Sequence, residues 1–503
     1  MSMATLQVDL SLIYLGLLLA ATYLLGVPLY RVYLSPLANV PGPRLAAATY
    51  LYEFFYDGMQ KGRFLWKIQE LHAKYGPIVR INPGEVHIND IHFYDRIYAS
   101  GSQHPRNKIR FMATHDESTF DTYDAEQHRA RRSAMAASFS KQSIRSLEPT
   151  IRHTVERLMN RMHNFANTGA VVNLKQMYSG LTLEVIAGYC FGESMVNMKQ
   201  EQFGPDLLDA FNALPQGHPL GRMFPWLFDL VSKIPARFIA TVDAKFRPLA
   251  EYEAKIDGQL AEVLAKDKPD GLRTVFHEIR DSKLPDPDKT ISRFKSEAAI
   301  FLGAGTETTA SALTVMSFFL TQNQDMLLRL RKEISGLKEK KASAEALTVA
   351  ELETLPFLTA LIQESVRLSF GVPGRLPRIA PQEVLVYSGH RLPSGTVMSS
   401  SSYLLHTDPN IYPEPFAFKP ERWLGNKNGL AGNFVPFGRG SRMCIGINLA
   451  YAEMYLTSAA MFTAFDFDLF ETTRKDVDIA HDFFVGFPPL KSKGVRVTVS
   501  RHD

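Results

Sequence analysis

Phe437-Gly438-Arg439-Gly440-Ser441-Arg442-Met443-Cys444-Ile445-Gly446 sets a cysteine in a glycine-rich loop immediately ahead of a long helical pattern. Amide N–H groups at a helix start and the positive end of the macrodipole favour a thiolate. Arg442 adds a fixed positive charge two residues back, so the spacing predicts a lowered thiol pKa and a sulfur suited to a metal. A lone cysteine is most often a small buried residue, and that is the reading for Cys190, the only other cysteine. Around Cys444 the phrase is richer: Phe437, Gly440, Arg442, Cys444 and Gly446 spell F-x-x-G-x-R-x-C-x-G.

This phrase resembles the cysteine loop of the cytochrome P450 family of heme-thiolate monooxygenases, and the resemblance implies that Cys444 ligates the iron of heme b. Other stretches agree. Glu364-Ser365-Val366-Arg367 is an E-x-x-R, in which residues three apart share a helix face and a carboxylate can hold a guanidinium by two hydrogen bonds. Alone it would read as a solvated helix pair. Pro420-Glu421-Arg422-Trp423 supplies the third member of the family pattern, which implies a buried triad of Glu364, Arg367 and Arg422 beneath the heme.

Ala304-Gly305-Thr306-Glu307-Thr308-Thr309 lies inside a helical run expected from about Phe294 to Ile334. Gly303 and Gly305 weaken the helix by up to about 1 kcal/mol each, and threonine hydroxyls compete for backbone carbonyls, so a loosened, kinked turn is expected there. In the family such a groove takes dioxygen, and Glu307 and Thr308 match its acid-alcohol pair, which relays protons for O–O cleavage. A packing kink in a core helix is the plainer reading.

The family also holds its heme propionates with cationic or hydrogen-bonding side chains. Asp124 to Arg132 resembles the motif W-x-x-x-R, with His128 where tryptophan is usual and Arg132 at the arginine position. A histidine ring can still donate to a carboxylate. Arg378, in Gly374-Arg375-Leu376-Pro377-Arg378, and Arg442 complete the implied set. Arg129 and Arg131 read as a solvated helix face, and Arg375 is close enough in sequence to be confused with Arg378.

The 503 residues, 45% hydrophobic, can bury a large core. Motifs that must meet at one heme are spread from His128 to Cys444, so one catalytic domain is expected over residues 49–503. A net charge of +4 is too small to argue for nucleic acid, and two cysteines indicate no disulfide framework. Trp66 to Tyr75 has helical spacing with Gly76-Pro77 as its stop, and Ile78 to Ile81 and Val86 to Ile88 read as a β-hairpin. Short strands are expected near Glu383 to Ser388, Gly395 to Ser399 and Val495 to Val499. Lys266 to Gly271 and Lys338 to Ala346 read as surface loops. The fold class is mainly α with a minor β portion, the cytochrome P450 fold.

Leu10 to Tyr30 is 21 residues without a charge, enough for a helix to cross about 30 Å of hydrocarbon. A signal peptide is the rival, but the run is long for one and shows no small-residue cleavage site. Asp9 precedes the span and Arg31 and Arg44 follow it, which puts the bulk of the chain in the cytosol. Residues 1–30 are therefore expected as a single-pass anchor. Residues 31–48, with Pro36 and Pro41-Gly42-Pro43, form a stiff hinge. The resemblance implies the endoplasmic reticulum membrane.

No Rossmann fingerprint or flavin module is present, so electrons come from outside. The resemblance implies an NADPH-cytochrome reductase, with cytochrome b5 as a further donor; Arg129, Arg131, Lys141 and Arg439 are candidates for its docking face. Substrate-lining segments are expected around Arg110 to His115, Phe203 to Tyr252, Gly371-Val372-Pro373 and Phe483 to Phe487, which are chiefly aromatic and aliphatic. A lipophilic substrate is implied. Pro41-Gly42-Pro43, Tyr75 to Pro83, Phe139-Ser140 and Phe434 to Gly438 resemble filamentous-fungal members, particularly the trichodiene oxygenase-like group, which implies hydroxylation or epoxidation in secondary metabolism, of a terpenoid or, as in similar members, of a polyketide or an alkaloid. Two other readings remain open: a heme-thiolate isomerase or dehydratase that needs no reductase, and a non-catalytic heme-binding protein.

Overall fold

A computed structural model describes residues 3–109, 117–192, 214–226, 230, 234–243, 247–265, 273–341, 346–425 and 428–502. The proposed pocket stretch from Arg110 to His115, the first part of Phe203 to Tyr252, and Lys266 to Gly271 lie outside them.

The principal helices are α1 (Met3–Leu29), α2 (Phe64–Tyr75), α3 (Ala125–Ala136), α4 (Lys141–Thr168), α5 (Leu174–Phe191), α6 (His218–Met223), α7 (Ile291–Gln322), α8 (Gln324–Lys340), α9 (Pro356–Ser369) and α10 (Ile447–Ala464). Local chemistry sets their ends. The Asp124 carboxylate accepts from the Glu126 and Gln127 amides and starts α3, satisfying donors with no partner inside the helix. The expected run from Phe294 to Ile334 is two helices, because Asn323 leaves helical geometry and its side chain caps α8 at the Met326 amide.

The strands are β1 (Ile78–Arg80), β2 (Glu85–Ile88), β3 (Asn107–Lys108), β4 (Val172–Asn173), β5 (Arg378–Ile379), β6 (Leu385–Tyr387), β7 (His390–Leu392), β8 (Val397–Ser399), β9 (Phe465–Leu469), β10 (His481–Phe483), β11 (Val485–Phe487) and β12 (Arg496–Arg501). They form a sheet in the order β1-β2-β8-β5-β3, a sheet β4-β12-β9, and the hairpins β6-β7 and β10-β11. The expected hairpin exists, with Ile78 opposite Ile88. Phe483 to Phe487, expected to line the substrate, lies in the β10-β11 hairpin.

The core is built around α7, which packs along α5 and is crossed by α9 and α10. Gly305 serves this packing: a Cβ there would lie 3.1 Å from Ile186 Cγ1 of α5. The expected kink is absent as a break, since α7 is continuous helix through Gly303 and Gly305. The competing hydroxyls are real, with Thr306 donating to Leu302 O at 2.6 Å and Thr308 to Ala304 O at 3.0 Å. Cys190 is fully buried, as expected.

One helical stretch among the described residues, Leu12–Leu34, is long and apolar enough to cross a membrane, and none of that window is buried in the protein. The proline elbow behind it is fastened to the globular part. Arg80 N donates to Pro41 O at 2.7 Å, and the Arg80 guanidinium donates to Arg31 O at 2.8 Å and Pro83 O at 2.7 Å.

Candidate functional site

The cysteine loop hangs between α9 and α10 and is shaped by its own backbone. Cys444 N donates to Phe437 O at 2.8 Å, Gly438 N to Val435 O at 3.0 Å and Met443 N to Gly440 O at 3.2 Å. Gly440 has φ +76°, and a Cβ there would run into the Tyr98 carbonyl oxygen, so no other residue fits. The Cys444 side chain is open to a water-sized sphere, yet protein surrounds it on the wider scale. That combination marks a side chain on the wall of an internal hollow.

The electrostatics of the thiol differ from the sequence reading. Burial dominates and pushes the Cys444 thiol up; the Gly446 amide and the Arg132 guanidinium pull the other way. Arg442 is not the cation that acts on the sulfur. Its guanidinium turns aside to Thr122 O at 2.8 Å and Tyr123 O at 3.0 Å, tying the loop to the start of α3.

Next to the loop lies a cluster of positive charge. His128 is buried and held neutral, pushed down to about 3 by burial and then by Arg442, Arg132, Arg378 and Lys108. Arg442 is itself lowered to about 9, by burial first and then by Arg378. Among the described residues neither Arg132 nor Arg378 has a carboxylate within 4 Å, and Arg442 spends its donors on carbonyls. Lys108 is the exception, paired with Asp121 at 2.7 Å. Buried charge of one sign without a partner is costly. The donor set therefore fits a group bearing carboxylates, and a cysteine sulfur beside it fits a soft metal ion.

Two neighbours that the sequence left ambiguous are resolved by their partners. Arg375 pairs with Glu53 and, at 3.1 Å, with Glu85, so it carries no spare charge. Arg131, expected on a solvated face and among the docking candidates, is instead buried. Its guanidinium bonds Asp288 at 2.9 Å and Thr122 Oγ1 at 2.9 Å, because this side of α3 faces the segment ahead of α7. Arg129 is exposed as expected.

Glu364, Arg367 and Arg422 meet in full burial. Arg367 grips Glu364 through Nε at 2.9 Å and Nη2 at 2.7 Å, and Arg422 Nε reaches Glu364 Oε1 at 3.0 Å. The sequence missed the rest of the set. Trp423 Nε1 donates to Glu364 at 2.8 Å, the Lys419 amide donates at 2.9 Å, and Arg367 donates to His406 O and Pro415 O. His406 links this network to the cysteine loop, because its Nε2 accepts from the Val435 amide at 3.1 Å. Trp423 stood beside Arg422 in the motif and could have been nominated; His406 offered no signal.

On α7, Ala304 is exposed although Phe301, Leu302, Thr306 and Thr309 around it are buried, and Thr308 is half-buried beside it. This is a groove in a core helix. Glu307 is turned toward α5, where Lys175 Nζ pairs with it at 2.9 Å and also donates to Glu307 O. Glu453, the one charged residue of α10, is buried, pushed well up by desolvation, and hydrogen-bonded to Thr309. It ties the helix that follows Cys444 to the turn that carries Thr308. An acid in an otherwise apolar helix was the available signal.

A profile of the cytochrome P450 family matches residues 43–493. "Cytochrome P450 monooxygenase tpcC" of Cochliobolus heterostrophus is 39% identical over 99% of this chain and 99% of its own length. "N-acetyltryptophan 6-hydroxylase ivoC" of Emericella nidulans is 36% identical over 96% of each chain. "Cytochrome P450 monooxygenase TRI4" of Trichoderma arundinaceum is 35% identical over 91% of this chain and 90% of its own. These are fungal proteins, in keeping with the resemblance read from the sequence. A crystal structure of a cytochrome P450 (CYP102L1) superposes with a TM-score of 0.69 at 17% identity, covering 92% of this chain and 99% of that one, and shares the fold. The chain belongs to the cytochrome P450 family, as an oxidoreductase of the monooxygenase class that carries heme iron and draws on O2 and an external redox partner.

Proposed function

We propose that this chain inserts one oxygen atom from O2 into a lipophilic small molecule of fungal secondary metabolism, a terpenoid being a class to which the resemblance points. Residues 1–30 anchor it in the endoplasmic reticulum membrane, residues 31–48 orient it, and residues 49–503 form a heme b domain facing the cytosol. NADPH-cytochrome reductase supplies electrons, with cytochrome b5 as a further donor. The observation that carries this reading is the convergence of Arg132, Arg378 and Arg442, none with a carboxylate within 4 Å among the described residues, with buried His128 beside Cys444.

Bound heme with a thiolate ligand supplies the oxygen-activating chemistry. The chain's own residues set its conditions. Cys444 provides the sulfur and the Gly446 amide donates to it, drawing off part of its charge. His128, Arg132, Arg378 and Arg442 hold the propionates, while Phe437 packs against Tyr451 at 5.4 Å and firms the loop. Glu364, Arg367 and Arg422 would steady the chain ahead of the cysteine loop through His406. Thr308 Oγ1 holds a proton at the groove. Glu307 sits about 100° round the helix from it, held by Lys175 until it turns inward or passes a proton through water.

Removing the hydroxyl in Thr308→Ala should leave heme and substrate binding nearly unchanged but lower product per NADPH. A positioned proton donor contributes roughly 100- to 10,000-fold to such a step. The test is microsomes with NADPH, reductase and a fungal metabolite extract, read for oxygenated products by mass spectrometry. Unchanged coupling in the variant, or turnover without reductase, would point to the isomerase chemistry instead.

A further inference from the structure

Away from the cysteine loop, the π-helical turn Phe55–Met59, α6, the turn after α9 and the β10-β11 hairpin enclose a small polar cavity of about 10 Å³. That is close to the room one water-sized group needs. Asp57, Asp482, Arg222, Arg375 and His218 line it, with Val372 and Phe484 at its apolar side. Val372 and Phe484 lie in the two segments expected to wall the substrate pocket. The Phe484 ring packs edge-on against Phe120 at 5.7 Å, so the cavity adjoins apolar surface.

The charges here do not balance. Glu53 and Glu85 take both arginines: Arg222 lies 3.0 Å from Glu53 and 3.8 Å from Glu85, and Arg375 pairs with both. Asn82 and Ser399 complete the hydrogen bonding of these two glutamates. Asp57 and Asp482 are then in excess. Asp482 presses on Gly374, where a Cβ would collide with its carboxylate, and accepts only from the Phe484 amide at 3.1 Å. Asp57 is 9% exposed, and its carboxylate has no hydrogen bond or ion pair to any described residue. Burial pushes Asp57 up to about 7, with Glu53 and Asp482 adding to the rise, and Asp482 up to about 6; Arg375 and Arg222 partly offset both.

A buried carboxylate without a donor lacks what an ammonium group brings: up to three N–H bonds and one positive charge, in the volume of a water. We infer that this cavity is a subsite for the protonated amine of the substrate, so that the molecule oxidised is an apolar skeleton bearing one basic nitrogen held by Asp57 and Asp482. The inference rests on the monooxygenase reading for its substrate and adds the chemistry of one end of it. The apolar body leaves the cavity past Phe484 and Val372, and the reacting carbon lies on the side away from the nitrogen.

The test compares tryptamine with indole-3-ethanol, which differ in ammonium against hydroxyl, by isothermal titration of the full-length heme-loaded protein. Charge-assisted bonds to the acid pair predict a preference for tryptamine of about 10-fold or more at pH 7.5. An alkylamine stays protonated over this range, so the preference should shrink toward pH 5 as Asp57 and Asp482 take up protons. Asp57→Asn and Asp482→Asn should each bring the two affinities together by weakening tryptamine, with an intact ferrous-CO band as the check on folding. No preference for tryptamine, including no measurable binding of it, would overturn the subsite, as would a preference that survives both substitutions. A red-shifted Soret band on adding tryptamine would put the nitrogen on the iron and equally overturn it. Oxygenated product from an uncharged substrate would leave the monooxygenase reading standing whichever way this falls.

Discussion

Two buried arginine-rich regions lie within one chain, and they are built on opposite plans. In the first, Glu364 receives Arg367, Arg422, the Trp423 indole and the Lys419 amide, and leftover guanidinium N–H groups go to carbonyls. Every charge is answered within the protein. In the second, Arg132, Arg378, Arg442 and His128 crowd together and, among the described residues, no carboxylate lies within ion-pair distance of them; Asp124 and Asp121 act on Arg442 only from farther off. A closed network holds structure, because breaking it strands a charge; an open one anticipates an anion from outside. The contrast separates a scaffold from a binding site more sharply than the count of arginines in either.

The largest effect should come from breaking the closed network. Glu364→Ala leaves two buried guanidiniums without their carboxylate and should lower stability by about 3 to 5 kcal/mol, read as a fall in the denaturant midpoint. A midpoint near that of the unaltered protein would mean that the triad is not holding the fold.

The open cluster should answer differently. Arg378→Met removes a buried cation while roughly keeping its volume, so the heme-stripped protein should be as stable as before or more so. The heme-loaded protein should lose its heme several-fold faster, on the order of one lost charge-assisted bond at about 1.5 to 3 kcal/mol. Heme transfer to an acceptor protein measures the second quantity and thermal unfolding the first. Equal damage to both forms would erase the distinction between the two regions.

Asp57 and Asp482 make a third and milder case, in which negative charge is in excess. Asp57 is raised to about 7 in the folded chain from an ordinary carboxylate value. The folded state therefore holds its proton more tightly than the unfolded one, and the stability this gives is complete below about pH 4 and is lost as pH rises through 7. Asp57→Asn should thus stabilise the protein by on the order of 1 kcal/mol at pH 8 and by nothing at pH 4. Thermal unfolding at the two pH values checks the sign; a loss of stability at pH 8 would show that Asp57 is ionised and satisfied.

What was legible in the sequence follows from where the partners sit. E-x-x-R and the cysteine loop are short phrases whose geometry is local, so Glu364 with Arg367, and Cys444 with the Gly446 amide, could be read directly. Pairs made across the fold could not. Lys175 meets Glu307 from a different helix, and Arg131 finds Asp288 far along the chain, a meeting that turned an expected surface residue into a buried one. Proximity in sequence also misled: Arg442 is two residues from Cys444, yet Arg132 is the cation that acts on the sulfur. Gly305 was correctly singled out for the wrong reason, since it admits Ile186 of α5 without breaking α7. The helix break at Asn323 was a capping signal that the unbroken apolar pattern concealed.

The central claim is that the open cluster and Cys444 together hold heme through a thiolate, and the ferrous-CO spectrum of Cys444→Ser tests it most directly. The unaltered protein should show the strongly red-shifted CO band of a thiolate-ligated heme, and Cys444→Ser should lose that band along with activity while the Glu364 network keeps the chain folded. A Cys444→Ser protein that retained the red-shifted band would contradict the account.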